Sequence, residues 1–216
     1  MDIDKLFMAM KNRQPSILGK SKFHQFAVLL PLIQCQDEIH VLFEVRSMQM
    51  RSQPGDVCFP GGRIDATDEN PQACAIRETT EELGIEPSTI NQIVPLDYVV
   101  SDYGTIIYPF VGKILSLDTL NLNKAEVAEV FTVPLAYFLN TDPTIYKVSF
   151  EAVPERDFPF ELIHGGENYD WRPRQMNELF YEYEDRVIWG LTAKIMRHFS
   201  ELIKTSELKL IQSKEN

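Results

Sequence analysis

Residues 77–85 read RETTEELGI and place three carboxylates, those of Glu78, Glu81 and Glu82, within five positions. On a helix these side chains stand at i, i+3 and i+4, so they project from one face within an arc of roughly 100°. Like charges at this spacing repel, and each pair costs an isolated helix roughly 0.2–0.5 kcal/mol. Water and salt can offset that repulsion on an ordinary solvated face. A divalent cation would offset it better, because hard ions such as magnesium take several oxygen ligands and favour carboxylates.

The helix that carries these glutamates has boundaries that can be read from the sequence. Asn70 suits the N-cap, Pro71 suits the first helical position, and Gly84 suits a left-handed stop. The side opposite the glutamates consists of Ala73, Ile76, Thr80 and Leu83. This division predicts that one face packs on a sheet while the other meets solvent or ligand.

Length and composition place the chain among ordinary globular proteins. It has 216 residues, of which 44% are hydrophobic and 25% are charged. We expect one domain over residues 1–216, with residues 1–20 forming an N-terminal helix and lead-in, and residues 205–216 forming a mobile tail. The sequence contains no 18-residue apolar run, and MDIDKLFMAMKNRQ lacks the basic region and apolar core of a signal peptide. The expected compartment is therefore the cytoplasm.

Charge and cysteine usage exclude several classes of partner. The formal net charge of −11 disfavours binding to nucleic acid or to an anionic membrane surface. The cysteines lack CxxC spacing, so we expect reduced, buried thiols and neither zinc nor a disulfide. The sequence leaves the oligomeric state open, and a homodimer is one possibility. The three cysteines are Cys35, Cys58 and Cys74.

Apolar patterning predicts a protein rich in strands. Residues 26–33 and 39–47 are typical of a β-hairpin, and residues 56–59 form a short strand that enters a turn at Pro60-Gly61-Gly62. An amphipathic helix over residues 2–11 is expected to pack on the body of the protein. Further strands are predicted at residues 95–101, 105–114, 127–133, 145–152 and 179–183, and a closing helix at about 187–204.

The segment GGRIDATDENPQACAIRETTEELGI resembles the Nudix box, whose pattern is G-x5-E-x7-R-E-U-x-E-E-x-G-U, where U is a bulky aliphatic residue. Its C-terminal half matches the pattern except at Thr79, which replaces the usual aliphatic residue. Its first half departs from the pattern, because one extra residue separates Gly62 from Arg77. Asp68 or Glu69 must therefore stand in for the first glutamate.

That extra residue is typical of the coenzyme A pyrophosphatase branch of the Nudix hydrolases. Residues 44–62, EVRSMQMRSQPGDVCFPGG, resemble the upstream signature of the branch, RS-x-x-LR-x-H-x-G-Q-V-x-FPGG. The segments EVAEVFTVPLAYFL and VIWGLTAKI resemble its later parts, so the likeness covers roughly residues 26–200. Gln53 occupies the expected histidine position and Asp56 the expected glutamine position. These two departures bear on the substrate and leave Nudix membership untouched.

The resemblance implies an α/β fold, the Nudix α/β/α sandwich with a mixed β-sheet between helices. It implies metal-dependent hydrolysis of the diphosphate bond of coenzyme A or its thioesters, giving 3′,5′-ADP and 4′-phosphopantetheine or its acyl form. The changes at Gln53 and Asp56 keep open another small nucleoside diphosphate derivative, such as ADP-ribose. A catalytically silent nucleotide-binding regulatory module is the alternative from a different class, and the intact set of glutamates argues against it.

Diphosphate cleavage needs charge neutralisation, an activated water and fixed geometry, much of which Mg²⁺ or Mn²⁺ can supply. Glu78 and Glu82, one helical turn apart, are the first-choice metal ligands. Glu81 is either a third ligand or a base that acts through water. The resemblance implies that a backbone carbonyl of the glycine turn, that of Gly62, joins the coordination. On sequence alone, a tight turn is the favoured explanation of these glycines.

Three further roles concern the surroundings of the box. Arg77 is expected to orient Glu78 or its neighbours, with a direct phosphate contact as the competing role. A catalytic glutamate outside the box is expected in NKAEVAEVF, where Glu126 is preferred to Glu129. Positive charge between residues 46 and 77 can serve an anionic substrate, and the arginines expected to clamp its phosphates, unless they are ordinary surface residues, are Arg46 and Arg51.

Overall fold

The computed structural model describes residues 2–101, 104–117 and 120–212, the last six of these by their backbone only. The helices are α1 (Ile3–Met10), α2 (Pro71–Leu83), α3 (Leu135–Asn140) and α4 (Gly190–Gln212), and single 3-10 turns lie at Lys20–Lys22, Pro87–Thr89, Phe160–Leu162 and Gly166–Asn168. The strands are β1 (His24–Cys35), β2 (Glu38–Arg46), β3 (Val57–Cys58), β4 (Gly61–Arg63), β5 (Ile90–Pro95), β6 (Val99–Ser101), β7 (Thr105–Ile114), β8 (Val127–Pro134), β9 (Thr144–Phe150), β10 (Arg174–Tyr183) and β11 (Arg186–Trp189).

A mixed sheet of eight strands forms the centre of the protein. Its main path runs β3-β2-β1-β7-β5, and β4, β6 and β8 pair with β1, β7 and β2 respectively. Strands β1 and β7 are parallel, with His24 opposite Thr105 and Leu32 opposite Lys113. The other pairs are antiparallel. A second, antiparallel sheet has the order β11-β10-β9.

Both faces of the central sheet are buried, because its middle strands are apolar at consecutive positions. Leu30 and Phe43 point to one side, where they join the core formed with α3, α4 and the second sheet. Leu29 and Leu42 point to the other side, where they pack with the apolar residues of α2. Helices therefore cover both faces of a mixed sheet. The expected Nudix-type α/β/α sandwich is confirmed.

Helix α2 begins and ends where the sequence predicts. The Asn70 side chain accepts a hydrogen bond of 2.9 Å from the Ala73 amide, and Gly84 takes a left-handed conformation at φ 64°. The predicted division of its faces is wrong in one respect, because Glu82 lies on the buried side. Thr79, at the position of the usual aliphatic residue, is fully buried, and its hydroxyl donates to the Ala75 carbonyl at 2.6 Å.

Several predicted boundaries are wrong for identifiable reasons. The strand expected at 95–101 is wrong, because β5 ends at Pro95 and β6 covers only Val99–Ser101. Most of β5 was missed because a bulge with Gln92 at φ 52° interrupts its apolar pattern. The glycine turn is strand β4, which pairs with β1. Residues 186–189 form β11 rather than helix, because Glu184 at φ 54° makes a hairpin turn and Gly190 at φ 61° separates the strand from α4. Helix α3 follows Pro134 and was not predicted.

The N-terminal helix does not pack as predicted, and the C-terminal segment is described only in part. Helix α1 forms, but none of its residues is buried and Phe7 is 66% exposed, so the predicted packing on the body is wrong. Of the proposed tail, the backbone is helical to Gln212, and residues 213–216 lie outside the described residues. Over the described ranges, no helix is long and apolar enough to cross a membrane.

We expect Gly84→Ala to destabilise the protein more than Gly19→Ala. Both glycines have positive φ, at 64° and 79°, so each alanine carries a strain of about 1–2 kcal/mol. A Cβ at Gly84 would lie 2.0 Å from the Asn121 carbonyl oxygen, whereas a Cβ at Gly19 would have no atom within 4 Å. Overpacking adds about 1–3 kcal/mol at Gly84 alone. Urea unfolding of both variants measures the difference, and equal losses would contradict the close contact.

Candidate active site

The three glutamates of α2 occupy three different environments. The helix packs on β1, β4 and β7, and this contact turns one edge of its acidic face towards the sheet. The Glu82 residue is only 4% exposed, whereas the side chains of Glu78 and Glu81 are 16% and 56% exposed. The carboxylates therefore form a series from the interior to solvent.

Glu82 is held against the glycine strand β4. Its Oε2 accepts a hydrogen bond of 2.8 Å from the Gly61 amide. Gly61 has φ 152°, and a Cβ there would lie 2.3 Å from the Ala27 carbonyl oxygen, so this close approach requires glycine. Burial, followed by the charge of Glu44, raises the pKa of Glu82 to about 9, and the Gly61 amide lowers it only in part.

Gly62 lies directly beside the carboxyl group of Glu78. A Cβ at Gly62 would come within 2.3 Å of the Glu78 Cδ, so only a glycine leaves room for the carboxylate. Burial raises the pKa of Glu78, while the adjacent Arg77 charge lowers it. Gly62 and Glu78 are therefore neighbours, and coordination of a metal by the Gly62 carbonyl stays a prediction.

Arg77 connects the helix to the loop that follows β4. Its Nε and Nη2 donate to the two oxygens of Asp68 at 2.9 and 3.0 Å, which makes a bidentate ion pair. The same guanidinium lies 2.9 Å from a Glu78 oxygen and 3.2 Å from a Glu81 oxygen. Hydrogen bonds from Arg77 hold the pKa of Asp68 well below its usual range. Asp68, rather than Glu69, thus takes the place of the first glutamate of the box.

A further carboxylate, that of the buried Glu44 on β2, was missed by sequence reasoning. Glu44 is 1% exposed, and its Oε1 accepts a hydrogen bond of 3.3 Å from the Cys58 thiol. Burial raises the pKa of Glu44 to about 7, although the Cys58 hydrogen bond and the Arg46 charge oppose the rise. The available signal was a lone glutamate inside the apolar run VLFEV.

The two glutamates of NKAEVAEVF, candidates for the further catalytic glutamate, differ in burial and in their charged neighbours. Glu126 is half-buried, and its charge contributes to raising the pKa values of Glu44, Glu78 and Glu82. Glu129 is exposed and pairs with Arg186. Glu126, and not Glu129, is therefore close to the acidic cluster, by which we mean Glu44, Glu78 and Glu82.

Of the two candidate phosphate-binding arginines, Arg46 is the last residue of β2 and Arg51 lies in the connection between β2 and β3. The Arg46 guanidinium donates to the Ser52 carbonyl at 3.3 and 3.2 Å, and its charge opposes the raised pKa of Glu44. Arg51 is exposed. Arg46 is therefore near the cluster, whereas the contacts of the described residues do not connect Arg51 with it.

The residues present fit a hard divalent cation. Carboxylates of Glu44, Glu78 and Glu82 supply oxygen ligands, and among the described residues the buried Oε2 of Glu44 has no hydrogen-bond partner. The Glu78 carboxyl group lies in the space that a Cβ at Gly62 would occupy. Over residues 2–101, 104–117 and 120–212, no three acidic, histidine or cysteine side chains already stand in metal-binding geometry. Coordination would thus require rotation of these side chains.

The fold and this site define a Nudix hydrolase: the model of the NUDIX domain matches residues 23–154, and the chain belongs to that family. Its members are pyrophosphohydrolases acting on nucleoside diphosphate derivatives, and they generally need a divalent metal such as Mg²⁺ or Mn²⁺.

Three particular proteins show how the chain relates to its family. Mouse peroxisomal coenzyme A diphosphatase NUDT7 is 37% identical over 135 residues, covering 62% of this chain and 56% of the mouse protein. The Nudix hydrolase NudL of Photorhabdus laumondii is 33% identical over 193 residues, covering 88% of this chain and 90% of NudL. The crystal structure of a MutT/nudix family protein from Enterococcus faecalis has 15% identity and a TM-score of 0.49, covering 94% of this chain and 70% of that one.

We predict that the metal-free protein loses stability as the pH rises from about 5 to about 9. Glu44 and Glu82 have native pKa values of about 7 and about 9, above the ordinary 4.5, so in this window the native state binds more protons than the unfolded state. Their contribution is fully present below pH 4.5 and is lost as the pH passes the native pKa values. Melting temperatures in EDTA should therefore fall less steeply for Glu82→Gln than for wild type. If the melting temperatures of wild type and Glu82→Gln fall equally with pH, the raised pKa of Glu82 is contradicted.

Proposed function

We propose that this Nudix hydrolase cleaves the diphosphate bond of coenzyme A or its thioesters, giving 3′,5′-ADP and 4′-phosphopantetheine or its acyl form. The observation that supports diphosphate chemistry is the packing of Glu78 and Glu82 against two glycines whose backbones leave no room for a side chain. The substrate assignment is supported by the similarity to a mouse coenzyme A diphosphatase and by the upstream segment RSMQMRSQPGDVCFPGG.

In this proposal the chain's carboxylates hold the cation. Glu78, Glu82 and the Gly62 carbonyl bind Mg²⁺ or Mn²⁺, which would neutralise the diphosphate and acidify the attacking water. Glu81, the most exposed of the three, pairs with Arg77 at 3.2 Å and serves as a third ligand or as a base through water. Arg77 acts on the site by fixing the helix and the orientation of Glu78, because its guanidinium already engages Asp68 through two hydrogen bonds.

Groups outside the box complete the proposed site. Glu126 is the further catalytic glutamate, supported by its electrostatic contribution to the carboxylate cluster. Arg46 and Arg51 bind the substrate phosphates, with Arg46 the better supported because of its position beside Glu44. The single domain over residues 1–216, the cytoplasmic compartment and a homodimer also stay predictions.

A substrate panel tests the proposed function. Purified protein with Mg²⁺ or Mn²⁺ is incubated with coenzyme A, acetyl-coenzyme A, ADP-ribose and diadenosine tetraphosphate, and the products are identified by mass spectrometry. We expect 3′,5′-ADP from the coenzyme A compounds. Turnover of ADP-ribose alone would overturn the substrate assignment, and turnover of nothing would favour a nucleotide-binding module.

Glu82→Gln serves as the matched inactive variant for that panel. Glutamine keeps the shape and can still accept the Gly61 hydrogen bond, but it removes one ligand charge. We therefore expect normal folding and a loss of most turnover, on the order of 100-fold or more, since a metal ligand affects the transition state directly. Circular dichroism checks the fold, and near wild-type turnover at saturating Mg²⁺ would contradict the ligand role.

Arg46→Ala and Arg51→Ala separate phosphate binding from surface charge. Loss of a phosphate contact should raise KM, or lower kcat if the contact tightens only in the transition state. Lysine at either position should rescue only in part, because it keeps the charge and loses the planar fork. If both alanine variants retain wild-type kcat/KM, the two arginines have no role in substrate binding.

A further inference from the structure

Glu44 is a carboxylate in a buried and mostly apolar environment. Strand β2 places it between Phe43 and Val45, and its cross-strand partners are Cys58 on β3 and Val130 on β8. Central strand positions with such neighbours favour apolar, β-branched or aromatic side chains. The glutamate is nonetheless 1% exposed, so its charge has little access to solvent.

The hydrogen bonding of Glu44 is incomplete. Oε1 accepts from the Cys58 thiol at 3.3 Å, which is a weak donor. Oε2 is buried and has no hydrogen-bond partner in the described part of the chain. A buried carboxylate without full hydrogen bonding is costly, and one thiol contact offsets only a small part of that cost. The unpaired oxygen is therefore available to a partner from outside the chain.

The position of Glu44 identifies the kind of partner. Its charge makes the largest electrostatic contribution to the raised pKa of Glu82, ahead of that of Glu78, which lies one turn away on the same helix. Glu126 acts on both buried carboxylates. Backbone contacts bring β2, α2 and the segment before β8 together: the Asn123 amide donates to the Glu82 carbonyl at 2.9 Å, and the Ser47 amide donates to the Glu126 carbonyl at 2.7 Å. The nearby positive charge of Arg46 reduces the repulsion among the carboxylates without removing it. A divalent cation can compensate several carboxylates at once, whereas each proton neutralises only one.

We propose that Glu44, which lies outside the Nudix box, is an additional carboxylate of the cation site and strengthens the binding of Mg²⁺ or Mn²⁺ from the sheet side of Glu82. The inference rests on the proposed function, because it assigns Glu44 to the same site. The competing account is that Glu44 only stabilises the β2–β3 pair through Cys58. The two accounts differ in what the loss of the carboxylate does to metal binding and to the stability of the metal-free protein.

Direct titration with Mn²⁺, followed by the electron paramagnetic resonance of the free ion, measures the affinity without substrate. We expect Glu44→Gln to weaken Mn²⁺ binding by about 10–100-fold, the range seen when groups supporting a metal site are removed. The melting temperature without metal should rise, because an uncompensated buried charge is gone. The further rise on adding a fixed concentration of Mn²⁺ should shrink, because ligand stabilisation depends on the ratio of concentration to Kd.

Glu178→Gln is the matched control. Glu178 is also a buried glutamate, 8% exposed, with one oxygen 3.2 Å from Lys194 and the other without a partner, but it lies on β10 and contributes to none of the pKa shifts of the acidic cluster. This variant should retain wild-type Mn²⁺ affinity. Glu44→Leu provides a second, apolar replacement, in case the amide of glutamine disturbs the strand.

The outcomes distinguish this inference from the function on which it rests. Weakened Mn²⁺ binding by both Glu44 variants, with unchanged binding by Glu178→Gln, supports it. Wild-type Mn²⁺ affinity in either folded Glu44 variant overturns it and leaves the proposed hydrolase intact. A lower metal-free melting temperature with an unchanged Mn²⁺ response assigns Glu44 to the β2–β3 pair alone. Absence of Mn²⁺ and Mg²⁺ binding by the wild-type protein overturns both proposals.

Discussion

The bidentate pair between Arg77 and Asp68 fixes the position of everything else in the site. A planar guanidinium matches two carboxylate oxygens only in one orientation, so the pair sets both the side chain and the helix that carries it. Through this contact the loop after β4 is joined to α2, and β4 in turn pairs with β1 in the central sheet. The Asp68 side chain is 4% exposed, and its charge is stabilised by Arg77 together with the Asp65 amide, which donates to Oδ2 at 2.8 Å.

Arg77 also explains why the carboxylates of the cluster differ. It lies beside Glu78 and Glu81, which places a positive charge on the outer half of the cluster. No comparable ion pair is described for Glu82 or Glu44 on the inner half, where burial dominates. The negative charges of Glu78 and Glu81 near the surface are therefore compensated by Arg77, whereas Glu44 and Glu82 in the interior have no ion pair of this kind among the described residues. A cation that enters from solvent meets its strongest attraction at the deepest point.

The sequence correctly predicted those features of helices and strands that depend on residues close together in the chain. Capping by Asn70, the stop at Gly84 and the apolar runs of the β1–β2 hairpin are properties of short segments, and the structure agrees with them. The box also predicted which face of α2 carries chemistry. Long-range pairing was less accessible: β11 resembled the start of a helix, and β5 contained polar residues within a bulge.

The same distinction applies to the site. Spacing within one helix was sufficient to select Glu78, Glu81 and Glu82, but not to rank their burial, which depends on how the helix packs. Glu44 is 34 residues away from Glu78 in sequence, and only the pairing of β2 with β3 shows that it lies next to the cluster. Sequence alone had no means to connect these two positions, because the connection is made by a sheet register.

The parallel pair of β1 and β7 has a consequence for how the protein is made. It pairs residues 24–32 with residues 105–113, so the whole Nudix box lies in the segment between two paired strands. This pairing can form only after β7 has been synthesised. During synthesis at roughly 5–20 residues per second, the acidic helix is complete about 1–6 s before the last residue of β7 is added. For that interval its apolar face has no completed sheet to cover it, and the nascent chain is exposed to premature association.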